Sequence, residues 1–195
     1  MPILSYIRPK ADEYREYFAI YLAQLGPDES DVLALLREQG LAVLSGLKRL
    51  DDNQLTYRYE PGKWSVGEVI GHLIDTERLF AFRALWIARG AVLPQPGMDE
   101  NAWAANSNAG GRSRKELWKE HHVTRTNHLY LLRSFDEAAI ARRGEVEGNP
   151  LSVNAVPWLI AAHERHHLVV LRERYGVDMI SGLIGDGNTS WCGNR

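Results

Sequence analysis

Two histidines one helical turn apart, His163 and His167, are the residues in this chain whose type and spacing point most directly to chemistry. In a helix, positions i and i+4 lie on one face about a turn from each other, so both imidazoles aim at the same point. That arrangement suits a divalent cation. Two inward imidazoles need partners of some kind, because each unsatisfied polar group costs ~1–3 kcal/mol in an apolar interior. Water, carboxylates and a metal ion all meet that need, and only a third ligand from elsewhere in the chain decides between them.

The pair sits on a stripe formed by Val156, Ile160, His163, His167, Val170 and Leu171, the spacing of a core-facing helical surface. Both histidines are therefore expected to face inward, while His166 lies off that stripe, nearer Leu159, Ala162 and Val169. Ser152 or Asn154 can cap the helix, Pro157 is tolerated in its first turn, and Gly176 ends it after Tyr175.

The elements that position such a pair can be read along the chain. An apolar stripe of Tyr14, Tyr17, Phe18, Tyr21, Leu22 and Leu25 predicts a short N-terminal helix over residues 12–25, stopped by Gly26 and Pro27. A longer helix follows to about Leu50, with Val32, Leu36, Gly40, Val43 and Leu47 on one face. Gly40 and Gly46 each cost roughly 1 kcal/mol relative to alanine there, so close helix approach must compensate. Ser65 with Glu68 has capping-box spacing, and Trp64 with Val69 has the spacing of a hydrophobic staple, so a helix starts here and runs to Gly90 with His72 two turns in. Residues 91–111 read as a long irregular segment, a candidate lid or a packed crossover. Ser113 and Glu116 repeat the capping-box signal, and the helix they start carries Leu117, His121, Thr124, His128, Leu131 and Phe135 on one face. His121 and His128 stand about 10 Å apart along that axis, too far to share an ion, which favours a structural role for each. Residues 142–150, rich in glycine and charge, read as a loop.

Four long helices with little strand propensity predict an all-α fold: a four-helix bundle with an additional short N-terminal helix, a class that builds metal sites between facing helices. A chain of 195 residues is one domain's worth, with a core over about 28–175 and a tail, 177–195, that reads as poorly structured or docked by Trp191 alone. With 45% hydrophobic and 25% charged residues it has an ordinary globular composition. A net charge of −2 argues against nucleic acid, and no run approaches a membrane span or a signal core, so a cytoplasmic location is the default expectation. The lone Cys192 excludes an internal disulfide and any multi-cysteine zinc site.

The segments Gly71-His72-Leu73-Ile74-Asp75-Thr76-Glu77-Arg78 and His163-Glu164-Arg165-His166-His167, with the Lys63-Trp64-Ser65 entry, resemble the DinB/YfiT-like family of small metalloenzymes over about residues 28–175. The resemblance implies metal ligands at His72, His163 and His167, an up-down-down-up bundle, and a divalent ion, often nickel or zinc, at one end of the core. It also implies a small-molecule substrate and frequently a homodimer. Members include hydrolases, thiol S-transferases that use low-molecular-weight bacterial thiols, and proteins with no known reaction, so a non-catalytic metal-binding bundle stays open beside the two enzymes.

Three neutral imidazoles leave an ion its full charge and at least one free position, the pattern of a catalytic site. Either water or a thiol could be activated there. Asp75 and Glu164 are candidates to orient ligand rings through their distal N–H, against the alternative of ion pairs with Arg78 and Arg165. Glu77 falls on the apolar stripe of its helix; a buried Glu77–arginine pair is the first expectation and a general base the second. Asp99 and Trp103 are candidate pocket residues by position.

Overall fold

The computed structural model describes residues 6–180, so Trp191 and Cys192 lie outside the described residues. The N-terminal helix expected over residues 12–25 is broken. Two 3-10 turns, Ala11–Glu13 and Glu16–Phe18, lead into a single α-turn, α1 (Ala19–Leu22). The cause is tertiary: Glu13 is buried and accepts hydrogen bonds from Ser152 and Asn154, while Arg8 donates to the carbonyls of Leu22, Leu25 and Gly26. These anchors hold the segment against distant chain, which a stripe of aromatics cannot reveal.

Asp31 accepts from the backbone N–H of Leu33 and Ala34 and starts α2 (Val32–Arg49). A short turn of helix, α3 (Asp52–Thr56), leads to the Ser65–Glu68 capping box, which opens α4 (Val66–Ala88); Gly90, at φ 78°, ends it in the left-handed conformation glycine favours. The segment expected to be irregular contains α5 (Glu100–Asn106) and a 3-10 turn, Ala109–Gly111, packed on α4 where Gly67 and Gly71 leave room. Ser113 and Glu116 cap α6 (Arg114–Arg133), and α7 (Glu137–Ile140) follows.

Residues 142–150, expected as loop, fall mostly in a hairpin, β1 (Arg143–Val146) with β2 (Asn149–Ser152), antiparallel. Glu147 and Gly148 both have positive φ, as the tight two-residue turn of such a hairpin requires. Four-residue strands are too short for alternation to stand out in sequence. Gln95 bridges to Val146, tying the start of the crossover to this hairpin. Ser152 Oγ accepts from the N–H of Ala155 to cap α8 (Ala155–Tyr175), and Gly176 at φ 67° closes it.

The four long helices form an up-down-down-up bundle in which α2 packs on α6 and α8, and α4 packs on α6 and α8. Gly40 and Gly46 are the close approaches expected: a Cβ at Gly40 would lie 3.2 Å from Arg125, and one at Gly46 would overlap Met179. Val177, Met179 and Ile180 are buried, so the chain stays packed past the end of α8 where a tail was expected. The apolar core has two parts. One gathers Leu35, Leu36, Phe80, Leu132 and Trp158; the other gathers Val43, Leu47, Ile70, Leu117 and Leu168. Between them, along all four helices, runs a belt of buried polar residues.

Candidate metal centre and its cleft

One half of the belt is made only of imidazoles. Both His72 on α4 and His163 on α8 are buried, and His163 Nε2 lies 3.1 Å from His72 Nε2 and 3.2 Å from His167 Nε2. Ligand atoms of all three lie within 4.8 Å of one another. A ring nitrogen has one lone pair or one hydrogen, so His163 Nε2 can serve only one of two such neighbours well. A cation would satisfy three lone pairs together. The two separations at His163 fit one: zinc–nitrogen bonds of ~2.0–2.1 Å at tetrahedral angles set donors about 3.3 Å apart.

Burial favours the ligand-ready form of each ring. Desolvation pulls His72 from 6.5 down to about 4, and it holds His163 and His167 well below the usual histidine range, with their mutual proximity acting in the same direction. Thr76 Oγ1 stands 3.4 Å from His72 Nδ1, the distal nitrogen whose bonding orients the ring. The Trp64 ring packs 4.8 Å from that of His72 and stacks on His167, covering one side of the cluster. Off the stripe as expected, His166 turns to the N-terminal segment: Tyr21 packs on its ring and Gln24 Nε2 lies 3.2 Å from its Nδ1. On α8, His163 and His167 fall between residues of the two apolar clusters, Ala162 and Leu168.

The other half of the belt is an ion network. Glu77 takes a bidentate pair of bonds from Arg125, at 2.8 and 2.9 Å, and Glu164 takes a third from the same guanidinium at 2.9 Å. Leu36 O accepts from Arg125 as well. His121 meets Glu164 at 3.1 Å, His128 meets Glu77 at 3.3 Å, and Gln39 Nε2 donates to Glu164 and to Ala161 O. Burial alone would raise the Glu77 carboxyl; the charge of Arg125 and the His128 and Arg125 bonds override it and hold Glu77 at about 2. Glu77 therefore has the arginine partner expected of it, and His121 and His128 serve the network. Glu164 pairs with Arg125 and not Arg165, which reaches Gln39 and Glu29. Asp75 faces Arg78 at 3.4 Å, half-buried, and no hydrogen bond joins it to a ligand ring.

A cleft of about 270 Å³ opens on His163 and Thr76. Phe18, Tyr21 and Phe80 wall it, and Arg83, Glu100 and Glu147 add charge. The pocket roles expected of Asp99 and Trp103 pass to their neighbours: Asp99 caps α5 through the N–H of Ala102, and Trp103 is exposed, while Gly97, Met98 and Glu100 line the cleft. Sequence reasoning missed Thr76, Arg125, Gln39 and Arg83. Thr76 carried a signal, being four residues after His72. Arg125 stands four after His121 but next to the stripe rather than on it, and Arg83 stands eleven after His72, three turns along one face.

A protein of Geobacillus thermodenitrificans (strain NG80-2), named as a candidate metal-dependent hydrolase, is 27% identical over an alignment of 159 positions that covers 76% of this chain and 86% of that protein. Among solved structures, YfiT from Bacillus subtilis, described as a probable metal-dependent hydrolase with an unusual four-helix bundle topology, is similar with a TM-score of 0.61 at 18% identity, over 87% of this chain and 93% of that one. A mycothiol-dependent maleylpyruvate isomerase is similar with a TM-score of 0.61 at 15% identity, over 80% of this chain but 63% of the isomerase. Both structural likenesses are of fold. Among the described residues no helix is long and apolar enough to cross a membrane. The sequence model of the DinB superfamily matches residues 34–171, from the first turn of α2 through all three clustered histidines, and the chain belongs to that superfamily.

Proposed function

We propose that this protein is a metal-dependent hydrolase that cleaves a small electrophilic substrate, with a divalent ion, nickel or zinc, held by His72, His163 and His167. The observation that carries this reading is three converging Nε2 atoms, with no carboxylate among them, beside a cleft that reaches His163. The hydrolase name of the Geobacillus relative supports it. When bound, the ion supplies Lewis acidity, which brings the deprotonation of water toward neutral pH and polarises a carbonyl or phosphoryl oxygen.

The chain's own residues do the rest. Desolvation keeps the three rings neutral, Thr76 orients His72, and the Trp64 indole limits water on one side of the cluster. The walls of Phe18, Tyr21 and Phe80 take the apolar part of a substrate and set its reacting carbon toward His163. The proposal gives Glu77 no part in proton transfer, since a carboxyl held at about 2 is a weak base at neutral pH. Glu164 is bound into the same network, and Asp75 is committed to Arg78.

A second reading, a thiol S-transferase, uses the same centre to ionise a low-molecular-weight thiol, and the fold likeness to a mycothiol-dependent enzyme favours considering it. The size of the cleft favours hydrolysis: 270 Å³ lies just under the ~300–1,000 Å³ of typical ligand pockets, and a transferase must seat thiol and electrophile together. The test is turnover by zinc- and nickel-loaded protein on small esters, amides and phosphoesters, then on thiol conjugation. Metal-dependent hydrolysis lost in His163→Ala upholds the proposal; conjugation without hydrolysis replaces it with the transferase. No turnover, with a melting temperature that falls sharply on chelation, replaces both with a non-catalytic metal-binding bundle.

A further inference from the structure

Three arginines are buried among the described residues, and only Arg83 lacks a carboxylate partner; Arg165 pairs with Glu29 at 2.7 Å. Arg125, 5% exposed, spends its guanidinium on two carboxylates and a carbonyl. Arg83, 6% exposed, lines the cleft and makes one hydrogen bond, Nη2 to Pro96 O at 2.9 Å. Its Nε is buried with no partner, and among the described residues no carboxylate comes within ion-pairing distance of it. An uncompensated buried charge costs several kcal/mol, so a fold that satisfies Arg125 fully and leaves Arg83 open has a use for the difference.

Arg83 stands three turns after His72 on the same face of α4, about 16 Å along the axis. Helical side chains lean toward the N-terminus, which here means toward the histidines. Thr76 and Phe80 fill the interval and line the same cleft. The carboxylate whose charge reaches Arg83 belongs to Glu147, at the left-handed turn of the hairpin. It is half exposed, packs over Gly97, and stands 3.9 Å from Arg15 at the rim.

We propose that Arg83 is an anion subsite of the cleft, and that the substrate is a small carboxylate whose charged end binds Arg83 while its apolar middle lies on Phe18 and Phe80 and its reacting carbon faces His163. Glu147 is then a built-in competitor for the same guanidinium. The orientation toward His163 rests on the hydrolase reading; the subsite itself does not.

The test is calorimetric titration of the full chain with 3-phenylpropionate and its uncharged isostere 3-phenylpropionamide, in zinc-loaded and in chelated protein. The acid is expected to bind about tenfold more tightly than the amide. Arg83→Gln should abolish that preference in both metal states, Arg83→Lys should keep part of it, and Glu147→Gln, at an exposed turn, should tighten acid binding several-fold. Equal binding of acid and amide by the wild type, absence of acid binding at millimolar concentration, or a preference that persists in Arg83→Gln overturns the proposal. If Arg83→Gln does not fold, an unchanged affinity in Glu147→Gln overturns it and a tightened one supports it. A preference that vanishes on chelation but survives Arg83→Gln assigns the carboxylate to the zinc, which upholds the metal reading and ends this one. A protein that takes up no zinc, yet loses acid binding with Arg83, does the reverse.

Discussion

Five of the six buried or half-buried histidines among the described residues, all but His166, divide into two groups that behave as opposites. His121 and His128 each face a carboxylate, and those carboxylates share one guanidinium, so the charges of their half are paired, although His121 Nδ1 has no partner. His72, His163 and His167 have no carboxylate opposite them and turn their Nε2 atoms on one another, the arrangement proposed to hold a cation. Identical side chains in one buried belt thus do different work. The difference lies in what stands opposite each ring, not in histidine itself.

The largest effect should come from breaking the paired half. Arg125→Met leaves Glu77 and Glu164 buried without their cation, and denaturant unfolding should show a loss of about 3–5 kcal/mol. A loss under 1 kcal/mol would mean the network is no more than a solvated cluster. In the other half, His163→Ala should leave the chelated protein folded and lower zinc affinity by more than the ~100-fold at which losses of merely orienting groups end. Elemental analysis and competition with a chelator read that directly. Zinc content equal to wild type would remove the contrast altogether.

Acid should unfasten the two halves in separate windows. His72 is depressed from 6.5 to about 4, so between those values the unfolded chain binds the extra proton, and the chelated protein loses stability as pH falls from 6.5 toward 4. Glu77 is depressed from 4.5 to about 2, so its contribution is present above 4.5 and is lost as pH falls toward 2. Melting temperatures of chelated wild type, His72→Ala and Arg125→Met across this range should show each variant missing its own window. The smallest effect belongs to Thr76→Val, which removes the 3.4 Å contact to His72 Nδ1 and should weaken zinc binding about tenfold. An unchanged affinity would show that the ring is oriented by packing against Trp64 instead.

Much of this molecule was written locally. The Ser65–Glu68 and Ser113–Glu116 boxes, the glycines 90 and 176, and the helical stripes place the long helices nearly to the residue, because caps and periodicity act within a turn or two. The His163/His167 pair was legible for the same reason, and His72 joined it only through the family pattern of its segment. The broken N-terminal helix and the Arg143–Ser152 hairpin were not, since each is set by contacts spanning more than fifty residues: Glu13 to Ser152 and Asn154, and Gln95 to Val146.

By itself, then, the order of amino acids determined the helices, their inward faces and a pair of imidazoles sharing a turn. Tertiary structure alone decided which buried charge met which. It gave Arg125 to Glu77 and Glu164, left Arg83 open beside the cleft, and set three histidines against each other. The physical reason is range: a helix is specified by neighbours three and four residues away, whereas the partner of a buried charge is whatever group another helix brings opposite it.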